Sequence, residues 1–261
     1  MSNELLFDTE EQLGIITFNR PEVMNAFGDS TRPELLAALS SAEQNSDIGC
    51  VIITGTGKAF SAGGDIKSMR DQQAANDIDT ITSRMSVAAE IVLLIREMTK
   101  PVIAAINGPA GGAGVNLALA CDLRYASEKA IFAESFAKIG LMPDWGGHYL
   151  LPQLVGTAKA LELFMLGERI DAQTALKLGI INDVFSADGF LDEVKSRAHQ
   201  LAKAPRNTIT AIKQCTYASV HQSLADTLRM EQAMQGELFL SDNAKEGMRA
   251  FLEKREAIFN Q

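Results

Sequence analysis

Apolar residues in the first half of the chain come in short runs, at Leu13–Phe18, Val51–Thr54, Val102–Ile106 and Leu123–Ala126, each followed by Gly, Pro or Asn. Short runs closed by such breakers predict buried strands. Arg32–Gln44 and Ser83–Met98 instead carry apolar residues at helical spacing, as a helix with one core-facing stripe does. Strand and helix in alternation predict βαβ units around a parallel sheet. From Gly156 onward nearly everything follows the helical period, except Gly179–Phe185, which reads as a short strand or an extended link. Gln72–Thr80 is polar without a strong period and is expected to be a mobile surface loop,. Neither internal repeats nor low-complexity tracts interrupt the pattern.

Composition narrows the class without changing the fold expectation. The chain has 261 residues, 46% hydrophobic and 22% charged, enough to bury one large core with an appendage. Its formal net charge is −9, with no Lys/Arg stripe, so nucleic acid is not an expected partner. The first ten residues, MSNELLFDTE, lack the basic-then-apolar order of a signal peptide, and no apolar run is long enough to span a bilayer,. A cytoplasmic protein without a membrane partner is expected. Cys50, Cys121 and Cys215 are odd in number and far apart, and His148, His199 and His221 are equally scattered. That pattern predicts reduced thiols and no metal site.

Candidate chemistry lies in three stretches. Thr54–Ile66 (TGTGKAFSAGGDI) and Ile106–Asp122 (INGPAGGAGVNLALACD) each follow a predicted strand and lead toward a helix. Neither has the glycine spacing of a nucleotide loop. Two backbone N–H donors from separate turns can converge on one oxygen, an oxyanion hole; glycines that merely permit tight packing are the alternative. The third stretch, Gly140–Leu151 (GLMPDWGGHYLL), sets Asp144 among apolar residues. A carboxylate so placed is either an N-cap for the next helix or an acid whose pKa burial raises toward neutrality.

Together these stretches resemble the enoyl-CoA hydratase/isomerase (crotonase) superfamily over nearly the whole chain. Phe18–Phe27 (FNRPEVMNAF) is similar to the family's N-terminal signature, Lys58–Met69 (KAFSAGGDIKSM) to its first oxyanion loop, Lys100–Gly114 (KPVIAAINGPAGGAG) to its second, and Glu246–Phe259 (EGMRAFLEKREAIF) to its C-terminal helix. The resemblance implies an α/β, crotonase-like fold of repeated ββα units with a C-terminal helical region. It divides the chain into a core over residues 1–200 and a trimerisation region over 201–261. It also implies oxyanion donors at the N–H groups of Gly64 and Ala113, and coenzyme A against Met24, Ala26, Ala62 and Ile66, bound as part of an acyl-CoA substrate and not as a permanent cofactor. Family precedent adds a neighbouring subunit's C-terminal helix, here Phe251 and Lys254, in a homotrimer or dimer of trimers.

Two departures shape the expected activity. Hydratases of the family use two glutamates, whose positions are held here by Asn116 and Phe136. Glu134 is close in sequence, but two residues apart on a helix point to different faces, which makes it a poor substitute. Glu22 also stands where the family often has a basic residue, so that phosphate contact is not expected. Isomerases of the family instead carry a lone acid in a Gly-x-x-Pro-Asp/Glu stretch, and Gly140–Gly147 is similar to it. The pattern is most like that of the phenylacetate-pathway isomerase that converts a ring-epoxide thioester to an oxepin. The resemblance therefore implies an isomerase with Asp144 as its single base. Asn116 would orient a polar group or pack silently, Trp145 would line an acyl pocket or the core, and His148 would border the pocket or stand exposed. A hydratase, a thioester hydrolase and a catalytically silent CoA-binding protein are the alternatives.

Overall fold

The structure is a computed structural model that describes residues 4–261. Nine strands form: β1 (Leu5–Glu10), β2 (Leu13–Phe18), β3 (Cys50–Gly55), β4 (Val102–Ile106), β5 (Ala110–Gly111), β6 (Leu123–Ser127), β7 (Ile131–Ala133), β8 (Arg169–Asp171) and β9 (Asp183–Phe185). Ten helices accompany them: α1 (Thr31–Gln44), α2 (Ile66–Ala75), α3 (Ile78–Glu97), α4 (Ala113–Ala120), α5 (Gly147–Leu166), α6 (Ala172–Lys177), α7 (Phe190–Lys203), α8 (Arg206–Ser219), α9 (Leu224–Phe239) and α10 (Asp242–Glu253).

The main sheet has the order β1-β2-β3-β4-β6-β9. β1 and β2 form an antiparallel hairpin, and every later pairing is parallel, with Ile15 opposite Ile52 and Ile52 opposite Ile103. Parallel pairing requires a crossover, so this sheet is covered on both faces and its strands read as continuous apolar runs. Side chains alternate accordingly. Ile15, Ile52, Ile103 and Ala105 pack with Phe190, Val194, Ala198 and Ala202 of α7. Ile16, Ile53, Ala104 and Ile106 face the larger cluster, which takes Leu35 and Leu39 of α1, Ile91 and Ile95 of α3, and Leu117 of α4.

A second sheet, β5-β7-β8, stands at the mouth of α4, with Ala110 opposite Phe132 and Gly111 opposite Ala133. It fixes where the chain turns into that helix. The C-terminal helices are tied back by a buried lysine: Lys213 Nζ of α8 donates to Ile95 O (2.7 Å), Lys100 O (3.0 Å) and Asp122 Oδ2 (2.8 Å). Among the described residues no helix is long and apolar enough to cross a membrane.

The α/β class with a helical C-terminal region follows the sequence pattern, and so do the four long strands, α1 and β9. Gln72–Thr80 does not. It is the junction of two helices, where Asn76 takes left-handed φ of 52° to end α2 and the Asp77 carboxylate accepts from Thr80 N (3.0 Å) to start α3. Its polarity is that of helix surface. α3 consequently begins five residues before Ser83. The C-terminal segment likewise stays helical only to Glu253, where Lys254 turns left-handed at φ 55°.

Candidate active site

The first glycine-rich turn is built from β2 outward. Met24 and Asn25 are both left-handed (φ 53° and 55°), and the buried Asn25 carboxamide donates to Thr56 O (2.9 Å) and Ala59 O (2.8 Å). Ser61 Oγ donates to Asn25 O (2.8 Å) and accepts from Gly63 N (3.1 Å). Backbone bonds run from Ala62 N to Met24 O (2.8 Å) and from Phe27 N to Gly63 O (2.6 Å). Met24, Ala26, Ala62 and Ile66 thus belong to two segments laid side by side. Met24 and Ile66 are exposed there, while Ala26 is buried.

The second turn meets the first at Gly63, whose φ is 87° and where a Cβ would fall 2.5 Å from Gly111 O and 3.1 Å from Ala113 N. Only glycine permits that approach. The bonds around Gly64 use its neighbours, Gly63 O and Asp65 N. Ala113 is the first residue of α4, where an N–H has no intrahelical partner and the helix dipole favours negative charge. The N–H groups of Gly64 and Ala113 therefore lie on abutting loops.

Asp144 precedes a turn with two left-handed residues, Trp145 (φ 49°) and Gly146 (φ 76°). Its backbone carbonyl accepts from Gly147 N (2.9 Å) and from Asn116 Nδ2 (2.9 Å). A Cβ at Gly147 would fall 2.5 Å from the Asn116 carboxamide, which explains the second glycine of the pair. The Asp144 carboxyl caps nothing: the α5 cap is Gly146, and Asp144 Oδ1 is buried without a partner. Burial raises Asp144 to about 6, opposed by the Arg32 charge. Arg32 is itself buried, 6.0 Å from the Trp145 ring centroid. Trp145 is core, packed on Phe27 at 5.2 Å between ring centroids. His148 is exposed on α5 with its ring against Phe164, and Asn116 holds the Asp144 backbone.

Glu134 is the residue that sequence reasoning set aside. It lies on no regular helix with Phe136; it follows β7 and caps a short 3₁₀ turn over Ser135–Ile139, so the face argument fails. Both side chains are buried. Phe136 covers Gly112, where a Cβ would sit 3.3 Å from its ring. Glu134 keeps both carboxyl oxygens buried and unpartnered, and burial, reinforced by the Asp144 charge, raises it to about 8. A period-2 count from Phe132 would have put Glu134 on the same buried face. Arg32 gave no comparable signal. Phe251 on α10, which packs on α9, and Lys254 at its C-terminal cap stand apart and exposed.

The family described as enoyl-CoA hydratase/isomerase matches residues 8–261. A Rhodobacter capsulatus protein named as a probable enoyl-CoA hydratase is 38% identical over 97% of this chain and 96% of its own length. The trans-2-decenoyl-[acyl-carrier-protein] isomerase of Streptococcus mutans is 32% identical over 98% and 97%. A crystal structure of an enoyl-CoA hydratase from Polaromonas sp. JS666 superposes with a TM-score of 0.94 at 35% identity, covering 98% of this chain and 99% of that one. With matched loops, fold and sequence along its length, the chain belongs to the enoyl-CoA hydratase/isomerase family.

Proposed function

We propose that the protein is an acyl-CoA isomerase that shifts a double bond through a thioester enolate. The thioester oxygen accepts from the Gly64 and Ala113 N–H groups, which hold the charge that develops when a proton leaves the adjacent carbon. Asp144, the single base, takes that proton, and the shift is completed when a proton enters at the vinylogous carbon. Coenzyme A lies along Met24, Ala26, Ala62 and Ile66, and a neighbouring copy brings Phe251 and Lys254 to it in a trimer or dimer of trimers. The likeness to the ring-epoxide isomerase rests on the Gly-x-x-Pro-Asp and Gly-Ala-Gly motifs alone.

One observation carries this reading: a partly buried carboxyl, Asp144, with an unpartnered oxygen and a pKa near 6. An acid so tuned is mostly ionised at neutral pH yet basic enough to accept a proton. Hydration is the second reading, because the relatives bear hydratase names and Glu134 supplies another carboxyl. Incubation with β,γ- and α,β-unsaturated acyl-CoA thioesters, read by mass and NMR, separates the two. Isomerisation without mass change supports the proposal, and a gain of one water from crotonyl-CoA as the main product refutes it.

A further inference from the structure

Glu134 is the ionisable side chain that a single-base reaction leaves without a task. It is 4% exposed, and neither carboxyl oxygen has a partner. Leaving a buried carboxyl unsatisfied is costly, so its retention calls for a reason. Its surroundings supply one. Ala133 O accepts from Gly112 N (2.8 Å), setting Glu134 beside the residue before Ala113. Asn116, one turn along α4, holds Asp144 through its backbone carbonyl. The segments carrying the two acids are therefore anchored at positions 112 and 116, four residues or ~6 Å apart at the start of α4. Asn116 Oδ1, Asp144 Oδ1 and both Glu134 oxygens are each buried without a partner, and Glu134 feels the Asp144 charge.

Resting on the isomerase reading, we propose that Glu134 is a second proton-transfer residue of this site, donating to the acyl chain the proton that completes the shift Asp144 begins. Asp144 breaks the C–H bond next to the thioester and keeps that proton, while the electron pair enters the dienolate held at the oxyanion donors. The vinylogous carbon then forms its C–H bond with the Glu134 proton, and the double bond moves into conjugation. The site is left with neutral Asp144 and ionised Glu134. Proton transfer from Asp144 to Glu134 restores it, and the balance closes without a co-reactant.

The order of basicity suits this cycle. The ionisable groups on the elements packed around Glu134 are Lys138, Asp144, His148, Tyr149, Lys159, Glu162, Arg169, Asp171 and Lys177. Of these only Asp144 adds to what burial does, and it pushes in the same direction, to about 8 against about 6 for Asp144. Between those values Asp144 is ionised and Glu134 protonated, the assignment a base and an acid require.

The test is the pH dependence of kcat/KM for a β,γ-unsaturated acyl-CoA in wild type, Glu134→Gln and Asp144→Asn. The wild type should rise through about 6 and fall through about 8. Glu134→Gln, which keeps shape but has no proton to give, should lose about 10²-fold in turnover and lose the descending limb. Full turnover, or an unchanged descending limb, overturns the proposal. Should the Gln variant not fold, Glu134→Asp decides: a retained descending limb supports the role and an absent one overturns it. Full activity in Asp144→Asn instead removes Asp144 as the base, whatever Glu134→Gln does, and addition of water by the wild type in place of isomerisation defeats the isomerase reading itself.

Discussion

Asp144 and Asn116 are joined at one peptide carbonyl, yet they are expected to respond differently to substitution. Asp144→Asn preserves volume and removes the base, so isomerisation should fall by about 10² or more in a folded protein. Asn116→Ala removes one of two donors to Asp144 O and leaves Gly147 N as the other, a loss of about 0.5–1.5 kcal/mol of stability. Thermal melting should drop, while kcat falls at least tenfold less than in Asp144→Asn. A larger kcat loss in Asn116→Ala would mean that its carboxamide touches substrate. Asp144, Gly64 and Ala113 could be singled out from the sequence because each sits in a short motif that resembles one of the family's. Glu134 could not, since the sequence does not show that the chain between β7 and Gly140 turns in a 3₁₀ arc. Arg32 and Trp145 meet only through tertiary packing, which no local pattern encodes.

Among the elements, α4 is the one whose start holds a proposed oxyanion donor, Ala113. Proline is tolerated at the first helical position, so Ala113→Pro should fold while deleting one N–H donor. Turnover is expected to fall by about 10² to 10³, with CoA affinity measured separately by calorimetry changing far less. Unchanged turnover would remove Ala113 from the oxyanion pair. Strands were the best-read elements: burial on both faces writes Leu13–Phe18 and Val102–Ile106 as continuous apolar runs. The α2–α3 junction was misread because its polar residues face solvent from helices whose limits are set by the capping carboxylates of Asp65 and Asp77. The small β5-β7-β8 sheet left no periodic trace, its strands being two and three residues long.

For the whole molecule, the raised acids set a pH dependence of stability. A carboxyl raised on folding binds more protons in the native state than in the unfolded chain, so stability falls as pH rises between the two pKa values. For Glu134 that window runs from 4.5 to about 8. Glu134→Gln should therefore melt at a higher temperature than wild type at pH 8 and lose most of that advantage at pH 5; a constant difference would argue against a buried titrating carboxyl. Assembly is the second property at this scale. Phe251 is 83% exposed in the single chain, and light scattering is expected to give a trimer or hexamer, with a monomer contradicting the shared CoA site. The reaction class is measured most directly by comparing, in one preparation, kcat/KM for isomerisation of a β,γ-unsaturated acyl-CoA with that for hydration of crotonyl-CoA. Isomerisation should exceed hydration by at least about 10², the scale of one lost proton-transfer group, and efficient hydration with slow isomerisation would contradict the account.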